Sequence, residues 1–215
     1  MIDIHSHQIS ENTIYNLMIG DIGQYVNYQN QWLSISIHPW HIQDWPIQLI
    51  EIERLAANKN VLAIGECGLD RLLELPIDQQ LPIFEAQVLL AERHNKPVII
   101  HCVKAHYELI AWKKSRQTTV PLIVHGFNNN IQILEQLLKN DFSISLGSAL
   151  LKSNSNASKS IRYIPLNKLF LETDNSNVSI ETIYEAAAQR LNCEIDILQK
   201  QISDNFAGKF LVFSS

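Results

Sequence analysis

Short apolar runs recur along the chain, separated by turn-forming or helix-patterned stretches. The runs Ile2–Ile4, Thr13–Met18, Leu33–Ile37, Val61–Ile64, Val98–Ile100, Leu122–Val124, Phe142–Leu146 and Leu169–Leu171 are mostly Ile, Val and Leu. Near-continuous apolar character marks strands buried on both faces. Ile77 to Asn95 places Leu81, Phe84, Val88 and Ala91 at spacings of three and four, one buried helical stripe that Pro97 helps to stop. Ile131, Leu134, Leu137 and Leu138 repeat the pattern, and Ile180 to Leu191 and Ile195 to Phe213 read as helices closing the outer wall. Strands alternating with helices argue for a parallel sheet in an α/β fold. Eight of them predict a compact (β/α)8 TIM-type barrel, a single domain over residues 1–215. Between His7 and Thr13 there is no room for a helix, so the first crossover helix is expected to be missing. Lys152 to Ser160, rich in Ser and Asn, reads as a loop with one helical turn.

Composition narrows the function classes. The 215 residues suffice for a full core, and the 46% hydrophobic share is ordinary for a globular protein. No apolar run approaches the roughly 20 residues of a membrane span. The opening Met-Ile-Asp-Ile-His has neither the basic nor the apolar region of a secretion signal, so a cytoplasmic location is expected. Cys67, Cys102 and Cys193 are odd in number and far apart, which suits reduced thiols. A net charge of −5 argues against a wide cationic groove for duplex nucleic acid. A small anion or a strand end fits better. With no coiled-coil pattern or large apolar patch, a monomer without an obligate partner is expected.

The chemistry sits where the predicted strands end. His5 and His7 follow the first run, Glu66 the fourth, His101 the fifth, His125 the sixth and Asp174 the eighth. A barrel of parallel strands brings all six to one rim. His5 and His7 are two apart, so both imidazoles share a face. Imidazoles with nearby carboxylates suit Zn2+, Mn2+ or similar ions. Glu66 has two oxygens and can bridge two cations, and Gly65 and Gly68 beside it imply close backbone packing. His101 and His125 taken singly also read as buried histidines bonded to backbone. Asp174 also reads as a helix cap, although the stretch to Ser179 holds other capping residues. In His38-Pro39-Trp40-His41, His38 is placed to contact substrate, whereas Trp40 and His41 read as loop packing. Asp70 is expected to make supporting hydrogen bonds. His94 and His106 read as structural. Cys67 and Cys102, neighbours of proposed ligands, are expected to face outward under helices.

This ordered set resembles the TatD-type metal-dependent hydrolases, a branch of the amidohydrolase-like barrels. The resemblance rests on Ala63-Ile-Gly-Glu-Cys-Gly-Leu-Asp70, Asp3-Ile-His-Ser-His7, Ile37-His-Pro39, Pro97-Val-Ile-Ile-His-Cys102, Leu171-Glu-Thr-Asp174 and the terminal Asn205-Phe206 with Phe210. It implies one divalent ion on His5, His7, Glu66 and Asp174, and a second on Glu66, His101 and His125. The ions would be Zn2+, Mg2+ or Mn2+. Asp174 and Glu66 would be the catalytic residues, with Asp174 helping to activate the attacking water. It also implies deoxyribonuclease-type cleavage of phosphodiesters, with DNA or a small phosphodiester as substrate. The chain departs from the family where an Arg usually follows the fifth-strand His in His-x-Arg-Asp-Ala, because here the segment is His101-Cys-Val-Lys-Ala105. A guanidinium able to grip phosphate in two places is absent there. Arg71, Lys104 and Lys152, each shortly after a strand, are the rim residues expected to replace that grip. Two further readings stand beside this one: the same ions acting on a small amide, ester or lactone, and a metal-stabilised binding protein without turnover.

Overall fold

The computed structural model describes residues 1–211. Eight strands run β1 (Asp3–Ser6), β2 (Thr13–Leu17), β3 (Trp32–Ile35), β4 (Val61–Asp70), β5 (Val98–Val103), β6 (Leu122–Val124), β7 (Ser143–Leu146) and β8 (Leu169–Leu171). They pair in chain order, each parallel to the next. The sheet curls until its ends meet. Ser6 and Asp174 form a parallel bridge, with His7 N donating to Asp174 O at 3.2 Å and Asp174 N to His5 O at 3.0 Å. This seam makes the sheet a nearly closed barrel.

Helices α1 (Trp45–Ala56), α2 (Ile77–Arg93), α3 (His106–Ser115), α4 (Ile131–Lys139), α5 (Asn156–Ser160), α6 (Ile180–Leu191) and α7 (Ile195–Phe206) cover the outside. As expected, no helix joins β1 to β2, and the next crossover is a 3₁₀ segment, Ile19–Tyr28. Lys152 to Ser160 is the expected loop with one helical turn, the turn being α5, capped by Ser155. The expected terminal helix ends at Phe206 and continues as a wider turn, Ala207–Leu211; residues 212 and 213 lie outside the described residues. Beneath the barrel Phe206 stacks on Trp32 and on Phe210. The core is the expected aliphatic one, with Ile4, Ile14, Leu33, Ile35, Ile100 and Leu171 fully buried. Each such side chain contributes about 1.5–3 kcal/mol. No helix among the described residues is long and apolar enough to cross a membrane.

Three strands outrun their predicted ends, β1 among them, which continues through His5 to Ser6. β4 continues through Glu66 to Asp70 and β5 through His101 to Val103, so these side chains project from within strands rather than beyond them. The cause is an irregular register between β4 and β5 across Ile64–Cys67. It requires glycine. A Cβ on Gly65 would lie 2.6 Å from Ile99 Cβ, and one on Gly68, at φ +153°, would lie 1.9 Å from His101 O. The shift re-aims Glu66 toward the barrel axis. Two buried glutamines of α2 satisfy backbone at the strand tops. Gln80 accepts from Asp70 N and donates to Asp70 O, both at 2.8 Å, while Gln87 accepts from Ile37 N at 2.7 Å and donates to Ile37 O at 3.2 Å.

Candidate metal centre

All six donors predicted from the sequence converge at the C-terminal mouth of the barrel, and Glu66 stands at their centre. Its two oxygens face different neighbours. Glu66 Oε2 lies 3.3 Å from His5 Nε2 and 3.6 Å from His7 Nε2. Glu66 Oε1 lies 2.7 Å from His101 Nδ1, 2.7 Å from His125 Nε2 and 3.3 Å from His38 Nε2. Asp174 Oδ1 closes the first side, 3.7 Å from His5 Nε2 and 3.6 Å from His7 Nε2. Asp174 does not end β8. It sits three residues beyond, at φ +53°, and the cap of α6 is Ser179.

Whether these residues fit metal ions is answered by His5. The ring is fully buried, yet neither of its nitrogens has a hydrogen-bond partner. Buried polar atoms are normally satisfied, and one left bare costs about 1–3 kcal/mol. A cation against Nε2 would remove that cost for one of the two nitrogens. Three sets of donors lie within 4.8 Å of one another: His5–His7–Asp174, His5–Glu66–His125 and His38–Glu66–His101. The donor set therefore fits divalent ions that accept imidazole and carboxylate. His38, expected at the substrate, thus stands among the donors.

The electrostatics are those of a carboxylate ringed by imidazoles. Burial pushes the Glu66 carboxyl up, but His125, His101 and His38 outweigh it and hold it well below the usual range. Burial pushes His125 down, but Glu66 and Glu172 raise it well above an ordinary histidine. Burial, reinforced by Glu172, raises Asp174.

Supporting residues emerge that sequence reasoning passed over. Glu172 is fully buried, accepts from Gly126 N at 2.5 Å and lies 3.3 Å from His125 Nδ1. Asn16 Oδ1 accepts from Glu66 N at 3.1 Å, and Ser36 Oγ donates to Glu66 O at 2.5 Å. Asp3 accepts from Thr173 Oγ1 at 2.6 Å and ties β1 to the loop after β8. Asn16 shares strand parity with the cavity residue Met18, and Glu172 lies within the quoted Leu-Glu-Thr-Asp, so both left a faint signal. Asp70 supports the site as expected, accepting from Leu72 N at 2.9 Å and lying 3.2 Å from His101 Nε2.

The cavity above these groups holds about 410 Å³ and is lined by Met18, Trp40, His41, Cys102, Val103 and Asn175 besides the donors other than His5. Cys67 is buried as expected, but Cys102 lines the cavity, because β5 ends there and its side chains are no longer sandwiched. Trp40 is 61% exposed rather than packed into its loop, because from a 3₁₀ turn fixed by Pro39 its indole reaches the cavity mouth, where Nε1 donates to Asp70. Arg71 and Lys104 do not line the cavity: the Arg71 guanidinium pairs with Glu108, and its Nε donates to Lys104 O at 3.0 Å. Lys152 is exposed and also absent from the lining. His94 pairs with Glu53 on the outer wall and His106 is buried at the start of α3, the structural places expected of them.

A family model described as "TatD related DNase" matches residues 18–210. The chain is 33% identical over 150 residues to the 3'-5' ssDNA/RNA exonuclease TatD of Pantoea ananatis, covering 66% of this chain and 57% of that protein. It is 28% identical over 203 residues to the uncharacterized metal-dependent hydrolase YcfH of Escherichia coli, covering 86% and 76%. The chain spans between 57% and 60% of the length of the first curated relatives it matches. Among solved structures, the TatD homologue YjjV of Escherichia coli superposes with a TM-score of 0.83 at 19% identity, over 98% of this chain and 97% of that one. A TatD family hydrolase of Entamoeba histolytica gives 0.73 at 17%, over 97% of each. These two likenesses establish a shared fold.

Proposed function

The chain belongs to the family of TatD-related DNases, and from that premise we propose that it is a hydrolase cleaving phosphodiester bonds with two divalent cations, Zn2+, Mg2+ or Mn2+. Nucleic-acid ends and small phosphodiesters are its substrates in this reading. The observation that carries it is the division of Glu66, one oxygen toward His5 and His7, the other toward His38, His101 and His125. A carboxylate so divided suits two cations roughly 3.5–4 Å apart. His5, His7, Glu66 and Asp174 would hold one, and Glu66, His101 and His125 the other, with His38 beside them.

What such ions supply when bound is Lewis acidity, lowering the pKa of an attacking water and neutralising charge on phosphoryl oxygens. The chain's own residues do the rest. Asp174, partly exposed at the cavity edge, takes the proton of the attacking water on its carboxylate. Glu172 and Asp70 fix the ring orientations of His125 and His101. Glu66 stays ionised between the imidazoles.

Metal analysis of the purified protein, paired with assays on single-stranded, duplex and small synthetic phosphodiesters, tests the reading. Bound divalent metal and phosphodiester cleavage are expected, both lost in His5→Ala while circular dichroism stays that of the wild type. Metal-loaded protein that turns over none of these substrates overturns it. One observation favours a second reading, hydrolysis of a small amide, ester or lactone: among the described residues lining the cavity, none is Lys or Arg. A parallel panel of amides and lactones separates the two.

A further inference from the structure

The mouth of the cavity carries an aromatic side chain that the hydrolytic centre does not employ. Trp40 is 61% exposed, yet it is held in place. Its backbone N donates to His38 Nδ1 at 3.0 Å, and its Nε1 donates to the buried Asp70 Oδ2 at 2.9 Å. The indole stands nearly perpendicular to the His38 and His101 rings, at 84° and 76°, with centroids 5.0 and 6.0 Å away. Tethered by one edge, it leaves most of its surface open beside the donors. Its companions in the lining, Met18 and Val103, are apolar. No Lys or Arg joins them among the described residues, and Arg71 is turned toward Glu108.

A fixed, open aromatic surface at the lip of a hydrolytic centre, with apolar Met18 and Val103 in the same lining and no Lys or Arg there, suits a flat, uncharged ring. The geometry points to Trp40 as the specificity-determining residue: a nucleobase of the substrate packs on the indole while the adjoining phosphodiester enters the donor cluster, where the proposed cations would neutralise its charge. The grip comes from stacking rather than from charge tracking a strand, so short nucleoside phosphodiesters bind about as well as long strands. This inference rests on the hydrolytic reading above.

The test compares metal-loaded wild type, Trp40→Ala and Trp40→Phe. Both variants lose the bond to Asp70, but only Trp40→Phe keeps an aromatic face, so the pair separates stacking from any disturbance of Asp70. Calorimetric titration with deoxyadenosine 5'-monophosphate and with deoxyribose 5-phosphate reads the contribution of the base without turnover. In wild type the base is expected to tighten binding roughly tenfold, the order of one stacked base. Trp40→Ala erases that difference and Trp40→Phe retains most of it. On the p-nitrophenyl ester of thymidine 5'-monophosphate, Trp40→Ala is expected to raise KM by a similar factor and to move kcat much less. Base-dependent binding that survives in Trp40→Ala, or that is absent in wild type, overturns the inference even if phosphodiesters are cleaved. Base-dependent binding lost in Trp40→Ala, with no phosphodiester cleaved by the wild type, upholds the stacking site and overturns the proposed reaction instead.

Discussion

The two sides of Glu66 are built differently. Facing Oε1, each imidazole has its other nitrogen engaged: His101 Nε2 lies 3.2 Å from Asp70, His125 Nδ1 3.3 Å from Glu172, and His38 Nδ1 accepts from Trp40 N. Facing Oε2, neither ring nitrogen of His5 has a hydrogen-bond partner, His7 is half-buried, and the Asp174 side chain is 39% exposed. One half of the centre is thus oriented by protein contacts, while the other is held less firmly. In the proposed reading the division has a use, because metal-assisted hydrolysis needs firm donors and also an open position where water arrives.

The largest expected effect comes from removing what the two sides share. Glu66→Ala should abolish measurable metal binding and reduce kcat/KM by well over the roughly 10–100-fold that supporting residues carry. Retention of metal at wild-type stoichiometry would break the comparison. Next in size is Asp174→Asn on the open side, expected to lower kcat by about 10²–10⁴. Its thermal midpoint should stay that of the wild type, because Asn tolerates the left-handed backbone at φ +53° as Asp does. Glu172→Gln on the held side should weaken metal affinity or activity about 10–100-fold, read by titration against a competing chelator. The smallest change is expected at the rim, where Arg71→Ala and Lys104→Ala should each shift KM for a phosphodiester by less than about twofold, since Arg71 is engaged in an exposed ion pair. A larger shift would restore them to the substrate grip that the sequence suggested.

The strands β6 and β8 and helix α6 match their predicted limits, because each is an apolar or periodic run with clear punctuation at both ends. β4 runs six residues beyond its expected end for the opposite reason. Gly-Glu-Cys-Gly looks like a turn in sequence, and only the shifted pairing with β5 makes it strand. The six donors were legible because one topology puts every strand end at one rim. Trp40 was not, because whether an aromatic after Pro39 packs or projects depends on where Asp70 offers an acceptor. Glu172 and Asn16 escaped for a similar reason: their partners, His125 and Glu66, lie 47 and 50 residues away.

The seam between Ser6 and Asp174 also decides when the centre can come into being. Its two residues are 168 positions apart, so most of the polypeptide must leave the ribosome before they meet. Pairings so distant form slowly. Until they do, the proposed ions would find only part of their cage on the nascent chain, and loading would belong to the finished barrel.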